Sequence, residues 1–156
     1  MSSRREVRAR VMQALYAHDL SGDEVAHVIK HLLKPKFEGT ALRFAERLFL
    51  ATLDRRDEAD ELIEAHARNW ELGRIAVIDR MILRMAITEL LHFEDIPPKV
   101  SINEAIEVAK SYSTDQSGTF LNGILDAVLG TLRTEGRLRK SGRGLVDITP
   151  PAGTID

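Results

Sequence analysis

Arg4, Arg5, Arg8 and Arg10 crowd the start of the chain. On a helical projection Arg5, Arg8, Met12 and Tyr16 fall along one flank of an apolar stripe made by Val7, Val11, Ala14, Leu15 and His18. Arg10 falls on the opposite flank, and Arg4 precedes them at the frayed end. Guanidinium groups pair bidentately with phosphate and stack on bases, and a tyrosine a few turns along adds a second stacking face. The chemistry offered is non-covalent capture of single-stranded RNA. An ordinary solvated helix face uses the same residue types, and from spacing alone that plainer reading is the stronger one.

Other reactive residues offer less. His27 and His31 stand at i and i+4, a spacing that can share a metal, but no thiol or third ligand accompanies them. We expect no metal and no cofactor. The acid pairs Asp57/Glu61 and Asp60/Glu64 sit in the charge-dense run 54–61, DRRDEADE, and read as a solvated face rather than an acid–base pair. Phosphate-binding glycine loops, a nucleophile elbow and cysteine are all absent. The chain is therefore expected to carry no catalytic residues. Asn122-Gly123 lies inside a helical stripe, where glycine costs about 1 kcal/mol relative to alanine. Either a neighbouring helix passes close over Gly123, or Asn122 and Gly123 mark a surface left open for an RNA backbone or a protein partner. Phe120 beside them suits a core or an interface equally.

These residues need helices to position them, and helical periodicity recurs along the chain while strand alternation fails. Ser21-x-x-Glu24 reads as a capping box opening a helix through Val25, Val28, Ile29 and Leu32, which Pro35 ends. Ala41, Leu42, Ala45, Leu48, Phe49 and Thr52 form a third stripe, with Leu62 and Ile63 behind the charged run that follows. Gly73 marks a break near Trp70. Ile75, Ile78, Ile82, Met85, Ala86 and Leu90 form a central helix apolar on several faces, which implies burial. After Pro97-Pro98, Ser101-x-x-Glu104 reads as another capping box. Thr114–Gly118 reads as a polar turn before a last helix through Leu121, Ile124, Leu125, Val128, Leu129 and Leu132. The expectation is an all-α protein of about seven helices in two packed helical subdomains, about 1–66 and 67–136. Residues 137–156, rich in Gly and Pro, read as a flexible tail.

The 156 residues carry a net charge of −2, unevenly spread. Basic side chains gather at 1–20 and again at Arg133, Arg137, Arg139, Lys140 and Arg143, while the body between is acidic. Such a distribution suggests a local anion-binding surface. The longest nearly apolar run falls far short of a membrane span, and Met1–Arg10 has no signal-peptide apolar region, so no membrane association and a cytoplasmic location are expected.

An ordered set of residues adds a resemblance. Gln13-Ala14-Leu15-Tyr16 closes the arginine segment, and Asn69-Trp70 opens the second half. Asp79-Arg80-Met81-Ile82-Leu83-Arg84 and Glu89-Leu90-Leu91 follow. Ile96-Pro97, Ile102-Asn103-Glu104-Ala105, Ala109-Lys110 and Phe120-Leu121-Asn122-Gly123-Ile124-Leu125-Asp126 complete it. Over roughly residues 4 to 134 this pattern resembles NusB, the bacterial transcription antitermination family. The resemblance implies a NusB-like bundle that binds boxA-type single-stranded RNA together with NusE, a small-subunit ribosomal protein. The pair would load RNA onto the transcription elongation complex and promote read-through, notably of ribosomal RNA operons. It implies RNA binding through Arg4, Arg5, Arg8, Arg10 and Tyr16, to which Asn122 is added. It implies partner binding through Asp79, Asp115, Gln116 and Phe120. Arg80 and Arg84 beside Asp79 read, on their own chemistry, as ties between helices through ion pairs. Glu6 interrupts a segment that is often more basic in the family, and Gln116 stands where an acid is frequent. Two rivals remain: a structural homo-oligomeric scaffold, for which a homodimer would be the simplest form, and an accessory domain related to ribosomal RNA methyltransferases.

Overall fold

A computed structural model of the chain describes residues 3–67 and 75–148, the side chains of Asp115 and 146–148 excepted. Trp70 and Gly73, with the break expected beside them, lie outside the described residues. Those described form seven α-helices and no strand: α1 (Arg4–Ser21), α2 (Val25–Val28), α3 (Gly39–Asp54), α4 (Arg56–His66), α5 (Val77–His92), α6 (Pro98–Tyr112) and α7 (Asp115–Thr134).

Helix α1 begins where its sequence satisfies the orphan amides. Ser3 Oγ accepts from the Glu6 amide and Glu6 Oε1 accepts from the Ser3 amide, both at 3.1 Å. This arrangement holds the Glu6 carboxyl below its ordinary range, the Ser3 backbone bond being the first cause. Glu6, which interrupts the basic segment, is thus the residue that starts the helix. The far end closes at Gly22, whose φ of 73° lets its amide reach His18 O at 2.9 Å.

Both capping boxes expected further on fail. Ser21 is the last residue of α1, donating to Ala17 O at 2.8 Å, and α2 opens at Glu24 with no side-chain cap. That helix widens into a π turn over Ile29–Leu33 before the chain reverses. Helix α6 starts four residues earlier than Ser101 as its cap implies, because Pro98 occupies its first position with φ already set. Ser101 is consequently inside the helix, buried, and its hydroxyl donates to Glu89 at 2.7 Å. Thr114–Gly118 is not a separate turn either. Thr114 caps α7, accepting from the Ser117 amide at 3.0 Å, so the polar residues form that helix's first turn.

Helix α5 is the axis. Every residue from Met81 to Leu91 is buried, and α1, α3, α4, α6 and α7 pack around it. Burying a helix on all sides brings its polar residues inside, where each must find a partner. Arg84 forks onto Asp60 at 2.7 and 2.9 Å, joining α5 to α4 as expected. Arg80, expected to act likewise, has a buried Nε with no partner among the described residues. His66 bridges Leu62 O and Thr131 Oγ1, joining α4 to α7. The close helix approach falls at Gly118, where an added Cβ would sit 3.6 Å from Ile106 Cγ2. Gly123 has nothing within 4 Å.

The segment after α7, expected to be a flexible tail, is laid against the bundle over its described length. Lys140 Nζ donates to the carbonyls of Glu89 at 3.0 Å and Phe93 at 2.8 Å, at the C-terminus of α5. The Ser141 amide donates to Glu94 O at 3.0 Å, and a 3₁₀ turn follows over Gly142–Ile148. Free carbonyls at a helix end attract a cation, and periodicity in the tail's own sequence carries no sign of that.

Candidate nucleic-acid interface and partner cleft

The arginine flank of α1 behaves differently along its length. Its middle lies beneath α5 and α6, while its ends emerge. Arg8 is only 2% exposed, and its guanidinium grips Glu89 through Nε at 2.7 Å and Nη2 at 2.9 Å. Ser101 supplies the third hydrogen bond to that carboxylate. Arg8, expected as an RNA contact, is therefore an interior ion pair tying α1, α5 and α6. The helical projection places it correctly beside the apolar stripe, but α1 is covered across more than the stripe.

Arg5 emerges, with 56% of its side chain exposed. Its guanidinium is held by Glu104 through two 2.9 Å bonds, and this pairing holds the Glu104 carboxyl below its ordinary range. Arg4 lies 4.2 Å over the Phe44 ring, a cation–π contact that fixes the guanidinium while leaving its edge to solvent. Arg10 is half-buried and donates to Leu32 O at 2.8 Å, pinning α1 to the π turn. Tyr16 stands 37% exposed, two turns beyond Arg8. Asn122 is exposed on α7.

Arg4 and Arg5 line an open cleft of about 760 Å³ between the starts of α1 and α6. Ile96, Pro97 and Val100 give it an apolar side, and Arg143 of the C-terminal segment enters its wall. A second groove, about 610 Å³, runs along the other flank past Arg5, Arg10, Gln13, Lys36 and Tyr112. Cations beside apolar and aromatic surface suit a nucleotide chain, the cations taking phosphate and the flat surfaces taking bases. Sequence reasoning missed Lys36, Tyr112 and Arg143 here. The basic cluster at 133–143 was the one signal for Arg143, and nothing local marks the other two.

On α5 and α7, Asp79, Gln116 and Phe120 come together in one cleft of about 310 Å³ with Ile75, Thr114 and Ser117. Asp79 is buried; its Oδ2 accepts from Ser117 Oγ at 2.8 Å, and its Oδ1 has no partner among the described residues. A buried carboxylate oxygen without a donor is costly, and a donor from outside would relieve that. Phe120 is half-buried, packed against the core by one side and lining the cleft by the other. Asp115 begins α7, and its side chain lies outside those described.

The molecule is thus an all-α bundle with cationic clefts beside the start of α1 and an acidic cleft with apolar walls between α5 and α7. The chain belongs to the NusB family, whose family model matches residues 5–130. It is 55% identical over 148 residues to the transcription antitermination protein NusB of Salinibacter ruber, covering 94% of this chain and 92% of that relative. Its fold is similar to that of T. maritima NusB, with a TM-score of 0.77 at 36% identity over 83% of this chain and 92% of that one. It is also similar, with a TM-score of 0.75 at 25% identity, to a chain in the crystal structure of antitermination factors NusB and NusE in complex with dsRNA. That match covers 82% of this chain and 96% of the other. Among the described residues no helix is long and apolar enough to cross a membrane.

Proposed function

We propose that this protein is a non-enzymatic transcription antitermination adaptor acting in the cytoplasm. BoxA-type single-stranded RNA lies along the start of α1, with Arg4 and Arg5 on its phosphates and Tyr16 on a base. Arg10 and Asn122 contribute at the margins, while Arg8 holds the helix in place from inside. A NusE-type ribosomal protein docks at the α5/α7 cleft, where a basic or amide donor reaches Asp79 and an apolar side chain meets Phe120, with Asp115 and Gln116 at the edge. The loaded pair joins the elongation complex and favours read-through, notably in ribosomal RNA operons. The halves about 1–66 and 67–136 act as two packed subdomains, the buried α5 serving as their common wall.

The observation that carries this reading is that the cationic cleft and the α5/α7 cleft share no lining residue. RNA and protein bind without competing, and each weak contact raises the effective concentration for the other. Fluorescence anisotropy of a boxA-like RNA, titrated with this protein with and without the NusE-type protein, tests it. Tighter binding with the partner present, lost for a scrambled RNA, is the expected result. Absence of binding in either arm from a folded protein would sink it.

A further inference from the structure

The C-terminal segment lies beyond the part matched by the family model, yet it is built into the molecule. Lys140 plugs the open carbonyl end of α5 with two hydrogen bonds, and Ser141 bonds Glu94 O. Gly144 is buried against the same corner, where a Cβ would overlap the Glu94 carbonyl oxygen. Only glycine permits that approach. Arg137 adds a contact to Glu58 at 3.8 Å. These anchors carry Arg143, exposed, into the wall of the cleft that Arg4 and Arg5 line.

The charge balance of that cleft decides what it takes. Its carboxylates are Asp95 and Glu104. Glu104 is occupied by Arg5, and Asp95 lies 3.8 Å from Arg47. Arg4 and Arg143 have no carboxylate partner among the described residues, so the cleft keeps cationic capacity on two of its walls. We propose that the C-terminal segment is a third wall of the RNA site, locked by Lys140 and Gly144, and that Arg143 contributes a further phosphodiester contact. The RNA path then runs from α1 across the start of α6 rather than along α1 alone. This inference rests on the RNA-binding reading above.

The test uses the full chain, boxA-like single-stranded RNA and anisotropy over a fourfold range of salt. Each phosphate contact on a single strand contributes about 0.7 to the slope of log affinity against log salt, so its loss makes that range cost about 2.5-fold less affinity. Arg143→Ala should lose one such increment with helical circular dichroism unchanged, and Arg143→Lys should retain it. Gly144→Val, which forces the segment off Glu94, should reproduce the Arg143→Ala slope. If Arg5→Ala lowers the slope while Arg143→Ala and Gly144→Val leave it untouched, the third wall is wrong and the RNA reading stands. If neither wild type nor variant binds RNA, both fall. A loss in Arg143→Ala that Gly144→Val does not share would refute the anchoring.

Discussion

Replacing Arg8 by Met separates an interior ion pair from an RNA contact. Arg8 and Glu89 are 2% and 1% exposed, and Arg8 provides two of the three hydrogen bonds that hold the Glu89 carboxylate. Without the guanidinium, Glu89 stays in the interior with Ser101 alone. Breaking a buried pair by removing one partner costs about 3–5 kcal/mol. For a chain of this size each kcal/mol moves Tm by about 2–4 °C, so a fall of about 6–20 °C is expected. Replacing both members, Arg8→Met with Glu89→Met, removes the stranded charge, and the Ser101 hydroxyl can turn to the Pro97 carbonyl four residues back. The double variant should therefore lie within about 1–2 kcal/mol of wild type, since apolar replacement of a whole buried pair is often neutral. Urea unfolding followed by circular dichroism gives all four corners of the cycle; Glu89→Met alone strands the Arg8 charge in turn, so the coupling should exceed about 3 kcal/mol. A single variant within about 0.5 kcal/mol of wild type that instead shows a shallower RNA salt slope would refute the reasoning and return Arg8 to the surface.

Gly123→Ala, in open space within α7, should stabilise the protein by about 0.5–1 kcal/mol, and unchanged or lowered stability would show that a Cβ is not accommodated there. Ser3→Ala removes the acceptor that starts α1 and should cost about 1 kcal/mol, read by thermal melting. Asp79→Asn keeps an acceptor for Ser117 but removes the charge, so calorimetry should show weaker docking of a basic partner with the fold intact; undiminished affinity would exclude Asp79 from that contact. Lys140 is pushed down to about 8, chiefly by burial, against the opposing charges of Glu89, Asp95 and Glu94. The undocked segment, titrating near the ordinary lysine value of 10.5, holds that proton longer, so docking strengthens as pH rises from about 8 towards 10.5 and burial opposes it in full below 8. Lysine side-chain NMR should give a midpoint near 8 for Lys140, and one near 10.5 would show the segment undocked.

Much of the bundle was legible because helix formation is local. Stripes at 3.6-residue spacing located α1, α3, α5 and α7, Pro97-Pro98 marked the approach to α6, and the crowding of apolar residues around Ile82–Leu90 identified the buried axis. The resemblance brought Asp79, Gln116 and Phe120 into one site, and they share one cleft. Helix starts were less legible. Ser21 and Ser101 have the right spacing for caps, but a capping box requires the serine outside the helix, and Gly22 and Pro98 set the boundaries elsewhere. The fate of each arginine was decided by tertiary packing. Arg4, Arg5, Arg8 and Arg10 are alike in sequence, yet one lies over an aromatic ring, one pairs at the cleft, one is interior and one pins a turn. Their difference arises from which helix covers each position, and that depends on partners 22 to 99 residues away. The sequence by itself determined the helices and the charge at the two ends of the chain. Only the folded bundle decided that both ends meet at one cleft, because the carbonyl end of α5, which holds Lys140, opens beside the start of α1.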